Sequence, residues 1–122
     1  YTARFAGENC SYLDNVNKML KVMKNVEDHK RTAIFKTVIA FVDSKMELFS
    51  EGKVKGLISK KIKGLAGFGY DPIFYVQEEG KTFGEMTIEK KNIISHRGQA
   101  INNFKPVLSS YIKKQQTAKE SA

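Results

Sequence analysis

The sequence has one cysteine, two prolines and two histidines in 122 residues. A lone thiol, Cys10, excludes an internal disulfide framework and fits a reducing, cytosolic setting. It reads as a small, inert thiol. No Cys or His stands near it at metal-ligand spacing, which argues against a zinc site. No apolar run approaches the roughly 18–20 residues that cross a bilayer. The longest candidate, Thr37 to Val42, is strand-length. No signal-peptide pattern opens the chain. An initial Met is also lacking. The start, Tyr1-Thr2-Ala3-Arg4, is expected of a piece of a longer chain or of one shortened upstream.

Hydrophobic residues at 41% and charged residues at 28% suit an ordinary globular protein and exclude a disordered tail or a collagen-like chain. The length suits one domain, or part of one, with a core of its own. Lys and Arg number 21 against 13 Asp and Glu, giving a formal charge of +8. Most of these lysines alternate with acids. Lys53, Lys55, Lys60, Lys61 and Lys63 do not: no acid lies among them, and a glycine-rich stretch follows. This cluster reads either as a solvated strand face and loop or as a place that attracts phosphates. No RNP-type aromatic motif, helix-turn-helix pattern or zinc-finger spacing supports a nucleic-acid module.

Periodicity outlines an α/β chain. Ser11 precedes Tyr12, Val16, Met19, Leu20 and Met23, the stripe of an amphipathic helix ending near Asn25. Ser11 with Asp14 predicts an N-cap, and the stripe, Tyr12 included, predicts core. Arg31 to Val42 predicts a strand, apolar on both faces at its C-terminal end and so buried on both sides there. Met46 to Ser50 and Lys53 to Ser59 predict an antiparallel partner with a bulge or a kink at Glu51-Gly52. Ile73 to Val76 predicts a short strand, Phe83 to Met86 one helical turn, and Glu89 to Ile94 a helix. Ala100 to Ile112 keeps helical period, and Pro106 predicts that the helix starts or kinks there. Residues 113–122 predict a polar tail.

Two stretches offer chemistry. Gly67-Phe68-Gly69-Tyr70-Asp71-Pro72 sets two rings and a carboxylate on a glycine-rich backbone. Read alone, it is either a tight turn or a place for a planar ligand to stack. Lys91 to Ala100 brings Lys91, Ser95, His96 and Arg97, all donors, to the start of a helix that Ser95 could also cap. An oxo-substituted base needs donors aimed at its acceptors, and a ring to stack on. No nucleophile-elbow pattern accompanies His96. Asp71 by itself is too few carboxylates for a magnesium site.

YTARFAGE at the start, GFGYDPIF from Gly67, GKTFGEM from Gly80 and ISHRGQA from Ile94 stand in the order and spacing of one family. The chain resembles the inosine and xanthosine triphosphate pyrophosphatases from Tyr1 to about Ile112. The resemblance implies an α/β fold with a long mixed sheet and two lobes. It implies Mg²⁺-dependent hydrolysis of inosine, deoxyinosine and xanthosine triphosphates to the monophosphate and pyrophosphate. It also implies a cytoplasmic homodimer that clears deaminated purines from the nucleotide pool. Phe68 would stack on the purine. Gly69, Tyr70 and Asp71 would line the base and sugar side. Lys91, Ser95, His96 and Arg97 would contact the base, the last two near its 6-oxo group. Donors pair with that acceptor and clash with the amino group of adenine.

The resemblance covers only the C-terminal part of such a protein, residues 1–112 here. The family's opening strand, its S/T-G-N-x-x-K phosphate loop, its metal-binding Glu and its Asp-Asp-Ser-Gly stretch have no counterpart. The expectation is therefore a base-recognition half, with no catalytic residue and no metal ligand of its own, inactive alone and with open strand edges. The alternative is a binding or assembly module that uses its basic surface and those edges.

Overall fold

The computed structural model describes residues 2–121, with side-chain environments through Thr117. Tyr1, which begins the expected opening loop, and Ala122, which ends the expected polar tail, lie outside the described residues, as do the side chains from 118 onward.

Seven regular elements follow one another: α1 (Tyr12–Val22), β1 (Thr32–Val42), β2 (Glu47–Ile58), β3 (Phe74–Val76), β4 (Lys81–Thr82), α2 (Ile88–Ile94) and α3 (His96–Ser121). Short 3₁₀ turns occupy Thr2–Arg4, Asp28–Lys30, Asp71–Ile73 and Phe83–Glu85. The strands form one sheet in the order β1-β2-β3-β4, and β2-β3 and β3-β4 pair antiparallel. The α/β class is as the periodicity indicates. The two-residue β4 is too short to carry a strand pattern in the sequence.

The chain divides into two compact units, Tyr1–Ile34 with Lys55–Lys91, and Phe35–Val54 with Asn92–Ala122. In the first, Val16, Ile58 and Ile73 form a core joined by Met19, Leu20, Met23, Ala33, Ile62 and Tyr70. Phe74 and Phe83 stack beside one another with ring centroids 5.4 Å apart. The predicted cap is a full capping box: Ser11 Oγ accepts from Asp14 N–H, and Asp14 accepts from Ser11 N–H. The helix stops at Val22, short of Asn25. Tyr12 departs from the expected core stripe. It is 61% exposed, at the first residue of the helix.

Arg31 is a buried charge that no sequence pattern signals. It is 3% exposed, and its guanidinium donates to the carbonyls of Ile58, Met23, Val26 and Ser59. It ties the end of α1 to the end of β2.

In the second unit, Asp43 closes the β1–β2 turn by accepting from the amides of Lys45 and Met46. Three expectations are corrected. β1 is covered on one face only: its odd residues are half-buried, whereas Ile34, Val38 and Val42 are exposed at 61, 54 and 63%. β1 is the sheet's edge strand, and no described element covers its outer face. β2 has no bulge; its alternation of exposed and buried residues passes through Glu51 and Gly52 without a phase change. Gly52 is needed for space. A Cβ there would lie 1.9 Å from the carbonyl oxygen of His96 and 2.5 Å from the nitrogen of Ala100, so α3 crosses directly on the strand. Ser50 Oγ donates to Ala100 O, and Asn103 Nδ2 to Glu51 O, fixing that crossing.

Finally, α3 does not start at Pro106, and it continues beyond Ile112 into the stretch expected as a polar tail. It begins at His96 and runs through both. Pro106 withholds one N–H from the carbonyl four residues back. The contacts of the preceding turns to β2, and the Phe41–Tyr111 ring pair at 5.2 Å, hold the helix on either side of that gap. No helix among the described residues is long and apolar enough to cross a membrane.

Candidate functional site

The first unit gathers Phe68, Gly69, Tyr70, Asp71 and Lys91. Gly67 makes this possible. Its φ is 79°, and a Cβ there would lie 2.1 Å from Asp71 Oδ2 and 3.0 Å from Lys91 Nζ. Only glycine fits, both for the left-handed backbone and for the room the carboxylate takes. Gly69, at φ 61°, supplies the second left-handed turn with open space around it. The loop then closes on itself. Asp71 Oδ2 accepts from the Phe68 amide at 3.0 Å, and Asp71 N–H donates to Phe68 O at 3.2 Å. Upstream, Ala66 N–H donates to Gly84 O, where Gly64 and Gly84 come too close for any side chain.

Asp71 is buried, and the Lys91 ammonium donates to the same Oδ2 at 2.5 Å. A carboxylate removed from water needs this pairing. The same ammonium stands 4.6 Å from the centroid of the Phe68 ring. One cation therefore serves two loop residues: it neutralises Asp71 and sits over Phe68. The Phe68 ring is 43% exposed, and the Tyr12 ring lies tilted beside it at 6.3 Å. Tyr12 is thus a second aromatic at this site, absent from the residues that the sequence singles out. Its place at the first residue after the Ser11 cap was the available signal.

Tyr70 turns the other way. Its hydroxyl donates to Thr2 O at 2.6 Å, and its ring joins the Val16 core. Burial, together with Cys10 nearby, raises the phenol above its ordinary pKa. The buried side chain of Asn15 holds the opening segment that carries Thr2, accepting from Ala6 N–H and donating to Ala3 O.

Ser95, His96 and Arg97 belong to the second unit, at the start of α3. Ser95 is 4% exposed, and its Oγ accepts from Gly98 N–H at 3.0 Å. It caps the helix, one of the two roles its sequence position suggests, and its hydroxyl hydrogen is left to donate. The His96 ring lies 5.0 Å from the Phe35 ring, and Arg97 is exposed. Gly98 is forced by the tight α2–α3 turn, where a Cβ would lie 1.8 Å from Asn92 O.

The donor set does not fit magnesium. Asp71 already receives an ammonium and an amide on one oxygen, and no group of three or more His, Cys, Asp or Glu able to hold a metal occurs among the described residues.

Comparison with known proteins adds a family. A dITP/XTP pyrophosphatase of Thermoanaerobacter sp. (strain X514) is 51% identical over 105 residues, covering 86% of this chain and 53% of the relative. That of Escherichia coli (strain K12) is 43% identical over 104 residues, covering 83% of this chain and again 53% of the relative. The solved Ham1 protein of Staphylococcus aureus superimposes with a TM-score of 0.82 at 39% identity, covering 94% of this chain and 57% of that one. A HAM1 protein from Coxiella burnetii gives 0.83 at 37% identity, with 89% and 57% covered. The chain thus spans about half the length of the curated relatives it matches. The sequence profile of the Ham1 family matches residues 1–107, and with that match, the shared fold and the four ordered motifs, the chain belongs to the Ham1 family.

Proposed function

We propose that this chain is the purine-recognising part of a nucleoside triphosphate pyrophosphatase that hydrolyses inosine, deoxyinosine and xanthosine triphosphates to the monophosphate and pyrophosphate. The observation that carries this reading is the Phe68 platform: an exposed ring fixed between two left-handed glycines, with Lys91 held over it by a buried Asp71. A ring so fixed loses little freedom when a base stacks on it. The relatives are named dITP/XTP pyrophosphatases, which supports the deoxyinosine and xanthosine triphosphates among these substrates.

In this proposal Phe68 stacks on the base, Gly69 and Asp71 form the wall beside it, and Tyr70 supports the loop from behind through the Val16 core and its bond to Thr2 O. Asp71 acts by position, keeping the Phe68 amide and Lys91 in place. Lys91, the Ser95 hydroxyl, His96 and Arg97 are the donors for an oxo-purine. The carboxylates that activate water and hold Mg²⁺ belong outside these 122 residues, so the chain alone binds without turnover. The full protein acts as a homodimer in the cytoplasm, with neither a membrane nor a nucleic acid as partner.

The β1 edge favours a second reading, an assembly module, through its exposed Ile34, Val38 and Val42. Titration of the chain with inosine and adenosine triphosphates, with pyrophosphate release followed in parallel, separates the two. The expected result is saturable binding that prefers inosine, with no pyrophosphate. Phe68→Ala removes a stacking contribution of about 1–3 kcal/mol, so binding weakens roughly 5- to 150-fold. Pyrophosphate release by this chain would refute its inactivity. Equal, Phe68-independent affinities, together with a defined oligomer, would favour the assembly module.

A further inference from the structure

The basic cluster from Lys53 to Lys63 is not used by the site above, and the structure divides it. Lys53 pairs with Glu51 at 3.3 Å, and Lys55 lies on the exposed face of β2. The other three, Lys60, Lys61 and Lys63, line a cavity of about 580 Å³ in the first unit, together with Arg31, Asp28 and Tyr75. That volume is in the range of small-ligand sites. No residue of the Phe68, Asp71 and Lys91 cluster lines it.

The charge of this cavity is one-sided. Arg31 is 3% exposed, yet its donors go to four backbone carbonyls and not to a carboxylate. Carbonyl dipoles solvate the guanidinium without cancelling its charge. The one acid among the lining residues, Asp28, is held by Lys60 at 2.9 Å. Lys60, with Arg31 and His29 nearby, keeps that carboxyl below its ordinary range, as a positive surrounding requires. Lys61 and Lys63 then stand beside a fixed buried cation, with no lining acid left to offset them. Lys63 also reaches to 6.0 Å from the Tyr75 ring, which forms a flat wall. Clustered cations of this kind are costly unless an anion joins them.

We infer that this cavity is a second ligand site, which takes the diphosphate group of a small phosphoanion, either free pyrophosphate or a nucleoside diphosphate. Arg31 supplies a fixed charge at the back, and Lys61 and Lys63 supply mobile ammonium groups at the mouth. The inference is independent of the purine site, and its test keeps the two apart.

Titration calorimetry of the 122-residue chain uses inorganic pyrophosphate, adenosine diphosphate and sulfate, at low and at physiological salt. Saturable pyrophosphate binding that weakens with salt is expected, and sulfate is expected to bind more weakly. The Lys61→Gln/Lys63→Gln double variant is expected to lose affinity by about tenfold or more. The Arg double variant at the same positions keeps the charge and should retain binding, which excludes a mere folding defect. Phe68→Ala should leave pyrophosphate affinity unchanged. Equal affinity for pyrophosphate and adenosine diphosphate shows recognition of the diphosphate alone; tighter nucleotide binding that Phe68→Ala leaves unchanged shows that the Tyr75 wall takes part. Three results overturn the inference: no saturable pyrophosphate binding, sulfate binding as tightly as pyrophosphate, or a Gln double variant that binds like the parent.

Discussion

Gly67→Ala tests the logic of the Phe68 loop directly. Two costs add at this position. The left-handed backbone, φ 79°, costs any L-residue about 1–2 kcal/mol. The new Cβ would also lie 2.1 Å from Asp71 Oδ2, the oxygen that accepts from both the Phe68 amide and Lys91. Moving that oxygen away breaks charge-assisted hydrogen bonds of a buried carboxylate, at about 1.5–3 kcal/mol. The sum is roughly 3–5 kcal/mol, a large part of the about 5–15 kcal/mol of a typical domain. Gly69→Ala and Gly80→Ala are the controls. Both positions are left-handed, at φ 61° and 65°, and at neither would an added Cβ have an atom within 4 Å. They should cost only the backbone contribution, about 1–2 kcal/mol. Urea unfolding of the three variants measures the stability difference, and titration with inosine triphosphate measures the loss of the platform. If Gly67→Ala is no more destabilising than its two controls, the crowding of Asp71 is not what fixes this loop.

Two further outcomes follow from the Ser95 cap and the half-buried Tyr70 phenol. Ser95→Ala removes the acceptor for Gly98 N–H at the start of α3 and should cost about 1 kcal/mol in urea unfolding. Tyr70 has a pKa above its ordinary 10.0 in the folded chain because it is partly withdrawn from water, with Cys10 nearby. The unfolded chain therefore loses this proton first as pH rises. The stability contributed by the neutral phenol is complete below pH 10.0 and is lost between that value and the folded pKa. Unfolding midpoints measured across that window should fall more steeply for the parent than for Tyr70→Phe. Parallel curves would mean that Tyr70 ionises alike in both states.

Local signals are legible in the sequence where a few neighbouring residues settle the matter. Ser11 and Asp14 satisfy each other across a single helical turn, and Asp43 caps its own hairpin. The loop from Gly67 to Asp71 announces itself by composition, and Lys91 by its place among clustered donors. What sequence spacing cannot carry is contact between residues far apart along the chain. Gly52 looks like a bulge when only its neighbours are considered, but its real constraint is the carbonyl of His96. Arg31 reads as one more surface charge among Lys30 and Asp28, because its acceptors are carbonyls of residues near and far, which no residue type advertises. Pro106 argues for a start or a kink; the helix starts earlier, at His96, where its first turns are held on β2. Tyr12 keeps helical period and still emerges at the surface beside Phe68.

The uncovered side of β1 has a consequence for how the hairpin finds its alignment. Its outward residues, Ile34, Val38 and Val42, are as apolar as the inward Phe35, Ile39 and Phe41. A slip of one residue would exchange the two sets with little change in hydropathy, so β1 cannot choose its own pairing by burying its greasy side. The choice falls to the middle of β2, where Glu51, Lys53 and Lys55 alternate with Ser50, Gly52, Val54 and Gly56, and to the two ends of the ladder. At one end the Asp43 side chain clamps the amides of Lys45 and Met46; at the other, Ile58 N–H donates to Arg31 O while the Arg31 side chain returns to Ile58 O. The strand is positioned like a zip, fastened at its ends, with the Lys36–Glu51 ion pair at 3.5 Å as a catch between them.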